Sequence, residues 1–269
     1  MLKEIAASKW SEVIRQKKEY PLPLIMEQLL SAPPTVSLKR ALKKNLSAVA
    51  VIAEIKKASP SQGLFRSGVI ESCRLSDIAR AYESAGASAI SVITEKKYFA
   101  GCPSHLRSVK EAVGVPVLRK DFIVDEYQIY ESRAMGADAV LLITSLLASA
   151  ELKRFLGLLE ELGMTAVVEA GREEDIFKAA RAGAEIIGVN NRDLTTMEVD
   201  ICRTLRWGPY VPRDRVLISE SGIYCHEQVK LLKEQAGVDA ILVGKSLVTS
   251  INPAEKIKEL LGKNVFCSC

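Results

Sequence analysis

The residues of this chain best suited to chemistry are lysines and carboxylates standing at the ends of short apolar runs. Glu54 and Lys56 lie two apart in Ile52-Ala53-Glu54-Ile55-Lys56, so on a strand they share one side with Ile52. In Leu118-Arg119-Lys120-Asp121-Phe122 the same alternation puts Leu118, Lys120 and Phe122 on one face and Arg119 and Asp121 on the other. Glu169 ends Val167-Val168-Glu169, Asn190 and Arg192 follow Gly188-Val189, and Glu220 closes Leu217-Ile218-Ser219-Glu220. An ammonium group donates a proton and a carboxylate accepts one, so a cluster of both is the equipment of general acid–base catalysis. Each of these residues taken singly is equally a solvated rim charge. Solubility alone gives no reason for the whole set to stand at matching depth.

A second group suits anions. Ser221-Gly222 and Gly244-Lys245-Ser246 are short, glycine-containing turns after apolar runs, where backbone N–H groups can meet a phosphate. Gly-Lys-Ser invites a nucleotide-triphosphate reading, but the glycine required five residues before Gly244 is Asp239, which rejects it. Ser59 and Ser61 have no histidine close by in sequence to form a triad, and a loop that touches substrate suits them better. His105 and His226, the only histidines, stand in no ligand spacing, so no metal site and no cofactor are expected.

These groups need a scaffold that brings distant strand ends together. Gly86, Gly114, Gly136, Gly163, Gly183 and Gly237 each follow a helical stretch and precede a β-rich run, the position where a helix ends on positive φ. With Val49 to Lys56 at the front and Val216 to Ser219 near the end, eight strands are predicted, ending near residues 56, 93, 120, 143, 169, 190, 220 and 244. Eight successive βα units favour a closed α/β architecture, a (β/α)₈ TIM barrel, whose active site lies at the C-terminal strand ends. A doubly wound open sheet is the alternative, but its Gly-x-Gly-x-x-Gly turn is absent after the first strand. Helices are predicted over Lys3–Tyr20 and Ser37–Lys44, separated by the proline-containing stretch Pro21–Pro34. The domain reading is an N-terminal helical extension over 1–47, the barrel over 48–262 and a flexible tail over 263–269. The extension could cover the barrel bottom or fold over the active-site mouth.

Composition narrows the class further. The chain has 269 residues, 48% hydrophobic and 26% charged, enough to bury one large core. A net charge of +4 is mild, and Lys39-Arg40-Ala41-Leu42-Lys43-Lys44, the one basic cluster, reads as the polar face of a helix, so no nucleic-acid partner is expected. Six cysteines lie scattered without disulfide or zinc spacing. With no export signal and no apolar run of membrane length, the expectation is a cytoplasmic protein without a membrane span.

Six runs resemble one family. Ile52-Ala53-Glu54-Ile55-Lys56-Lys57-Ala58-Ser59-Pro60-Ser61, Thr94-Glu95-Lys96-Lys97-Tyr98-Phe99 and Leu118-Arg119-Lys120-Asp121-Phe122-Ile123 look like signatures of indole-3-glycerol-phosphate synthase. So do Val168-Glu169, Gly188-Val189-Asn190-Asn191-Arg192-Asp193-Leu194 and Ser219-Glu220-Ser221-Gly222-Ile223. They occur in family order from residue 52 to 223, with weaker similarity to about 261.

The resemblance implies a cofactor-free reaction of tryptophan biosynthesis. In it, 1-(2-carboxyphenylamino)-1-deoxyribulose 5-phosphate becomes indole-3-glycerol phosphate with loss of carbon dioxide and water. It implies Lys120 as the proton donor at the sugar carbonyl, with Lys56 and Glu169 as acid and base for dehydration, the division of steps between the two lysines being open. Glu54 is implied to hold the lysines in charge and place, Lys56 also to hold the substrate carboxylate, and Asn190, Arg192 and Glu220 to orient the substrate. Phe99, Phe122 and Leu141 match its apolar wall, and Ser59, Ser221, Gly222 and Gly244 its phosphate cradle. Lys245 departs from the small or acidic residue more usual there and either pairs with phosphate or points away. The partner implied is a phosphorylated small molecule; association with other tryptophan-pathway enzymes is not indicated. Two rivals are phosphoribosylanthranilate isomerase, which would use a cysteine and an aspartate, and a barrel that binds phosphate without turnover.

Overall fold

The computed structural model describes residues 2–44, 48–59, 63–64 and 74–263. The side chain of Ser59, together with Ser61, Cys73 and the tail cysteines Cys267 and Cys269, lies outside the described residues.

Eight parallel strands close into a barrel. They are β1 (Ala50–Ile55), β2 (Ala89–Ile93), β3 (Val117–Lys120) and β4 (Ala139–Ile143), then β5 (Thr165–Ala170), β6 (Ile186–Asn190), β7 (Val216–Glu220) and β8 (Ala240–Val243). Each strand pairs with its sequence neighbour, and β1 pairs with β8 to complete the ring. A small antiparallel pair, 58–59 with 63–64, sits outside it.

Period-two alternation sorts the side chains as expected. Val51, Ala53, Val92, Val140, Leu142 and Val168 face outward into the layer shared with the helices. Ala50, Ile52, Leu118, Leu141, Val167, Ile218 and Leu242 point inward and fill the barrel. Glu54, Lys120, Glu169, Asn190 and Glu220 continue the inward series toward the C-terminal end, where register aligns Ile143 with Glu169 and Asn190 with Glu220.

Three helices precede the barrel: α1 (Leu2–Glu19), α2 (Leu22–Leu29) and α3 (Leu38–Leu42). α2 was not expected, because Pro21–Pro34 reads as a breaker. Pro21 is in fact the N-cap and Pro23 lies in the first turn, where a missing N–H costs no intrahelical bond.

The choice between bottom and mouth for this segment resolves as both. Leu38 and Leu42 of α3 are fully buried against Ala50, Ala89, Ala139, Ile186, Val216 and Ala240 at the N-terminal end of the barrel. Lys39 and Lys43, from the basic cluster, meet Glu185 at 2.5 Å and the Arg215 carbonyl at 3.4 Å. α1 instead lies at the opposite end, with Leu2 and Ile5 lining the cleft there.

The outer helices are α4 (Leu75–Ala85), α5 (Pro103–Lys110), α6 (Glu126–Ala134), α7 (Ser149–Glu161), α8 (Glu173–Ala182), α9 (Cys202–Trp207), α10 (His226–Ala236), α11 (Lys245–Val248) and α12 (Pro253–Leu260). Of the glycines predicted at positive φ, Gly86, Gly136, Gly163, Gly183 and Gly237 adopt it and Gly114 does not. α5 has already ended at Lys110, and the Gly114 N–H is held by Glu83 Oε1 at 2.9 Å. Among the described residues no helix is long and apolar enough to cross a membrane.

Candidate active site

A cleft opens at the C-terminal strand ends, and every candidate residue with a described side chain lines it: Glu54, Lys56, Phe99, Lys120, Phe122, Leu141, Glu169, Asn190, Arg192, Glu220, Ser221, Gly222, Gly244 and Lys245. Ser59 is the exception, since its side chain falls outside the described residues.

Lys120 is the hub. Its Nζ lies 3.0 Å from Glu220 Oε2 and 3.3 Å from Glu169 Oε2. Glu169 also accepts from Asn190 Nδ2 through Oε1 at 3.1 Å, and Asn190 Oδ1 accepts the Arg192 backbone N–H at 2.9 Å. On β1, Lys56 Nζ pairs with Glu54 Oε1 at 2.8 Å. Two ammonium groups and three carboxylates from different strands thus share one enclosed space.

Their charges are set by a contest between burial and neighbours. Burial pushes the Lys120 pKa down, but Glu220, Glu169 and Glu54 outweigh it and hold the ammonium form well above the ordinary lysine value. Burial pushes Glu54 up, yet Lys56, Lys120 and Arg192 keep it below the usual carboxylate value. Glu220 goes the other way: burial, then repulsion from Glu169 and Glu54, lifts it to about 7 despite Lys120. The arrangement therefore holds a protonated lysine beside a carboxyl that can exchange its proton near neutrality.

Two glycines make room for this cluster. A Cβ at Gly188 would strike the Glu220 carboxylate, and one at Gly244 would strike Glu54 and crowd Lys56.

The candidate phosphate residues lie at the ends of β7 and β8. Ser221 and Gly222 both have positive φ, 71° and 79°, a conformation that costs a serine roughly 1–2 kcal/mol. Fully buried Asn191 pins this turn, its Nδ2 donating to the Ser221 carbonyl at 2.9 Å and to Ser219 Oγ at 3.0 Å. Gly244 leads into α11, and Ser246 Oγ is buried there with no hydrogen-bond partner among the described residues. Lys245 lines the same end of the cleft.

The apolar wall consists of Phe99 and Phe122, with ring centroids 6.2 Å apart, and Leu141 deeper in the barrel. Behind it, Asp121 accepts from Thr94 Oγ1 at 2.6 Å, pairs with Arg119 at 3.2 Å and receives Lys9 of α1 at 3.0 Å. Arg119 and Asp121 do face away from Lys120, as alternation predicts, into a buried network that ties α1 to the strand carrying it.

Sequence reasoning missed Leu2, Ile5, Glu95, Asn191 and Met197. The first two reach the cleft only through the docking of α1, which no local pattern announces. Glu95 and Asn191 stood inside quoted motifs, and their position just past strands was the available signal. Among the described residues no group of three or more histidine, cysteine, aspartate or glutamate side chains is arranged to hold a metal ion.

The family model described as indole-3-glycerol phosphate synthase matches residues 2–260. A relative from Endomicrobium trichonymphae named indole-3-glycerol phosphate synthase is 48% identical over 225 residues, 84% of each chain. Another of that name from Carboxydothermus hydrogenoformans is 46% identical over 257 residues, covering 93% of this chain and 96% of its own. Among solved structures, a 3-hexulose-6-phosphate synthase from Salmonella typhimurium superposes with a TM-score of 0.62 over 80% of this chain and 98% of its own. At 17% identity that likeness concerns the barrel fold alone. With the family model spanning nearly the whole chain, and with relatives above 40% identity along most of it, this protein belongs to the indole-3-glycerol phosphate synthase family.

Proposed function

We propose that this barrel converts 1-(2-carboxyphenylamino)-1-deoxyribulose 5-phosphate to indole-3-glycerol phosphate, carbon dioxide and water, with Lys120 as the acid of ring closure. The observation that carries the residue roles is the placement of Lys120 Nζ within 3.3 Å of both Glu169 and Glu220 at the cleft floor, beside the Lys56–Glu54 pair.

Ring closure joins the carboxyl-bearing carbon of the aromatic ring to the sugar carbonyl carbon, and the carbonyl oxygen must gain a proton as its π pair becomes a lone pair. Lys120 supplies that proton. An ammonium group stabilised by carboxylates resists loss to solvent and yields only to a stronger base, which the forming alkoxide is. Carbon dioxide then leaves with its bonding pair passing back into the ring. Lys56, which lines the cleft, holds the departing carboxylate until that step. The new hydroxyl finally leaves as water, which needs one proton given and one taken; Lys56 and Glu169 fill these roles, with Asn190 fixing the Glu169 carboxylate.

Phosphate binding is assigned to Ser221, Gly222, Gly244 and Lys245 from the sequence, and to Ser246 from its orphaned hydroxyl. Ser59 completes the cradle by family resemblance. Phe99, Phe122 and Leu141 take the anilino ring, while Arg192 and Glu220 orient the sugar. No cysteine lines the cleft among the described residues, which disfavours the isomerase that would rely on one.

The test is incubation of purified protein with the anilino ribulose phosphate while indole fluorescence is followed. Substrate-dependent growth of that signal is expected, and its absence with substrate bound would return the protein to a binding role.

A further inference from the structure

Glu95 lines the cleft and takes no part in the acid–base scheme. It stands just past β2 and is only 2% exposed. Both of its oxygens are spent on the turn that follows: the Lys97 N–H donates to Oε1 at 3.1 Å, and the Tyr98 and Phe99 N–H groups donate to Oε2 at 2.7 and 3.1 Å. Three successive amides bound to one buried carboxylate form an anion-binding concavity filled by the protein's own side chain.

The turn is closed from the other side as well. The Gly101 N–H donates to the Glu95 carbonyl at 2.7 Å, and Ala100 takes a positive φ of 52° to reach it. A Cβ on Gly101 would lie 2.6 Å from the carbonyl oxygens of both Glu95 and Ile93, so only glycine fits. Between these two fixed points sits Phe99, its ring tilted 38° against Phe122 across the cleft wall.

We infer that Glu95 is a positioning residue for recognition of the substrate's aromatic ring, acting through the backbone of Phe99 rather than on a proton. Both oxygens of this carboxylate are committed to backbone amides, and what it fixes is the height of a ring that makes half of the aromatic wall. The inference rests on the ring-closing reading above and adds a residue that decides which substrates fit: those with a flat aromatic portion.

The experiment compares Glu95→Gln, Phe99→Ala and the double variant in the fluorescence assay, with inorganic phosphate as a competitive probe and thermal unfolding as a control. Glu95→Gln forces amide N–H groups against an amide side chain, so kcat/KM is expected to fall at least tenfold, mostly through KM. The double variant is expected within about twofold of Phe99→Ala, phosphate inhibition within about twofold of the parent, and the pH profile unshifted. Effects that multiply in the double variant, phosphate inhibition that weakens in step, or a displaced pH limb would each overturn the inference. If Glu95→Gln does not fold, Glu95→Asp, which keeps the charge but is one methylene too short to hold all three amides, must show the same non-additivity with Phe99→Ala. Turnover by the parent protein tests the ring-closing reading separately, since its absence would sink that reading whatever the variants do.

Discussion

Lys120 Nζ binds Glu220 Oε2 at 3.0 Å, while the other oxygen of the same carboxylate, Oε1, is buried without a hydrogen-bond partner among the described residues. A half-satisfied carboxylate is costly when charged, and this one holds its proton to about 7, well above the ordinary glutamate value.

Stability should therefore carry the signature of Glu220. Between pH 4.5 and 7 the unfolded chain has released this proton and the folded protein has kept it, so its contribution to stability falls as pH rises across that window. The difference amounts to about 3 kcal/mol at most. Glu220→Gln cannot titrate there, and denaturation of both proteins from pH 4.5 to 8 is expected to show the variant gaining on the parent as pH increases. A difference independent of pH would contradict it.

Removing Lys120, the proposed acid of ring closure, or Glu169, proposed for dehydration, should stop turnover without unfolding the barrel. Lys120→Ala and Glu169→Gln are each expected to lower kcat by about 10²-fold or more, with circular dichroism and phosphate binding close to the parent. In Lys120→Ala the Glu220 carboxyl keeps its proton to higher pH, which avoids two facing buried charges. Near-parental turnover in either variant would remove that residue from its role.

Gly188 is expected to be as sensitive as a catalytic position although it carries no side chain. An alanine methyl there would displace the Glu220 carboxylate that Lys120 binds. Gly188→Ala should cost about 1–3 kcal/mol by overpacking and at least tenfold in kcat, which paired denaturation and kinetic measurements would check.

The buried Lys9–Asp121 pair should fasten α1 to the cleft. Breaking a buried pair typically costs about 3–5 kcal/mol; Asp121 keeps Arg119 and Thr94, so Lys9→Met is expected to cost about 1–3 kcal/mol. Trypsin should then cut α1 faster, and KM should rise because Leu2 and Ile5 no longer complete the wall. Unchanged cleavage within α1 would mean that other contacts hold it.

The strand series was legible in the sequence because alternation is local: Glu54 and Lys56, or Leu118 and Lys120, declare their shared face by spacing alone. The helix-ending glycines were legible for the same reason, and Gly114 misled because a few residues separate it from the end of α5. What the chain does not declare locally is long-range docking. Lys9 and Asp121 are far apart in sequence, and nothing in Leu2 or Ile5 distinguishes a cleft wall from an ordinary apolar helix face. Glu95 was overlooked for a different reason, since its partners are backbone amides and amides have no sequence identity.

The amino-terminal segment touches both ends of the barrel, α3 beneath and α1 above. Leu38 and Leu42 rest partly on Ile186, Val216 and Ala240, strands that leave the ribosome long after α3 does. These leucines thus remain unsheltered during synthesis until the last third of the polypeptide has emerged, and contacts so distant along the chain slow folding. α3, made early, is seated late.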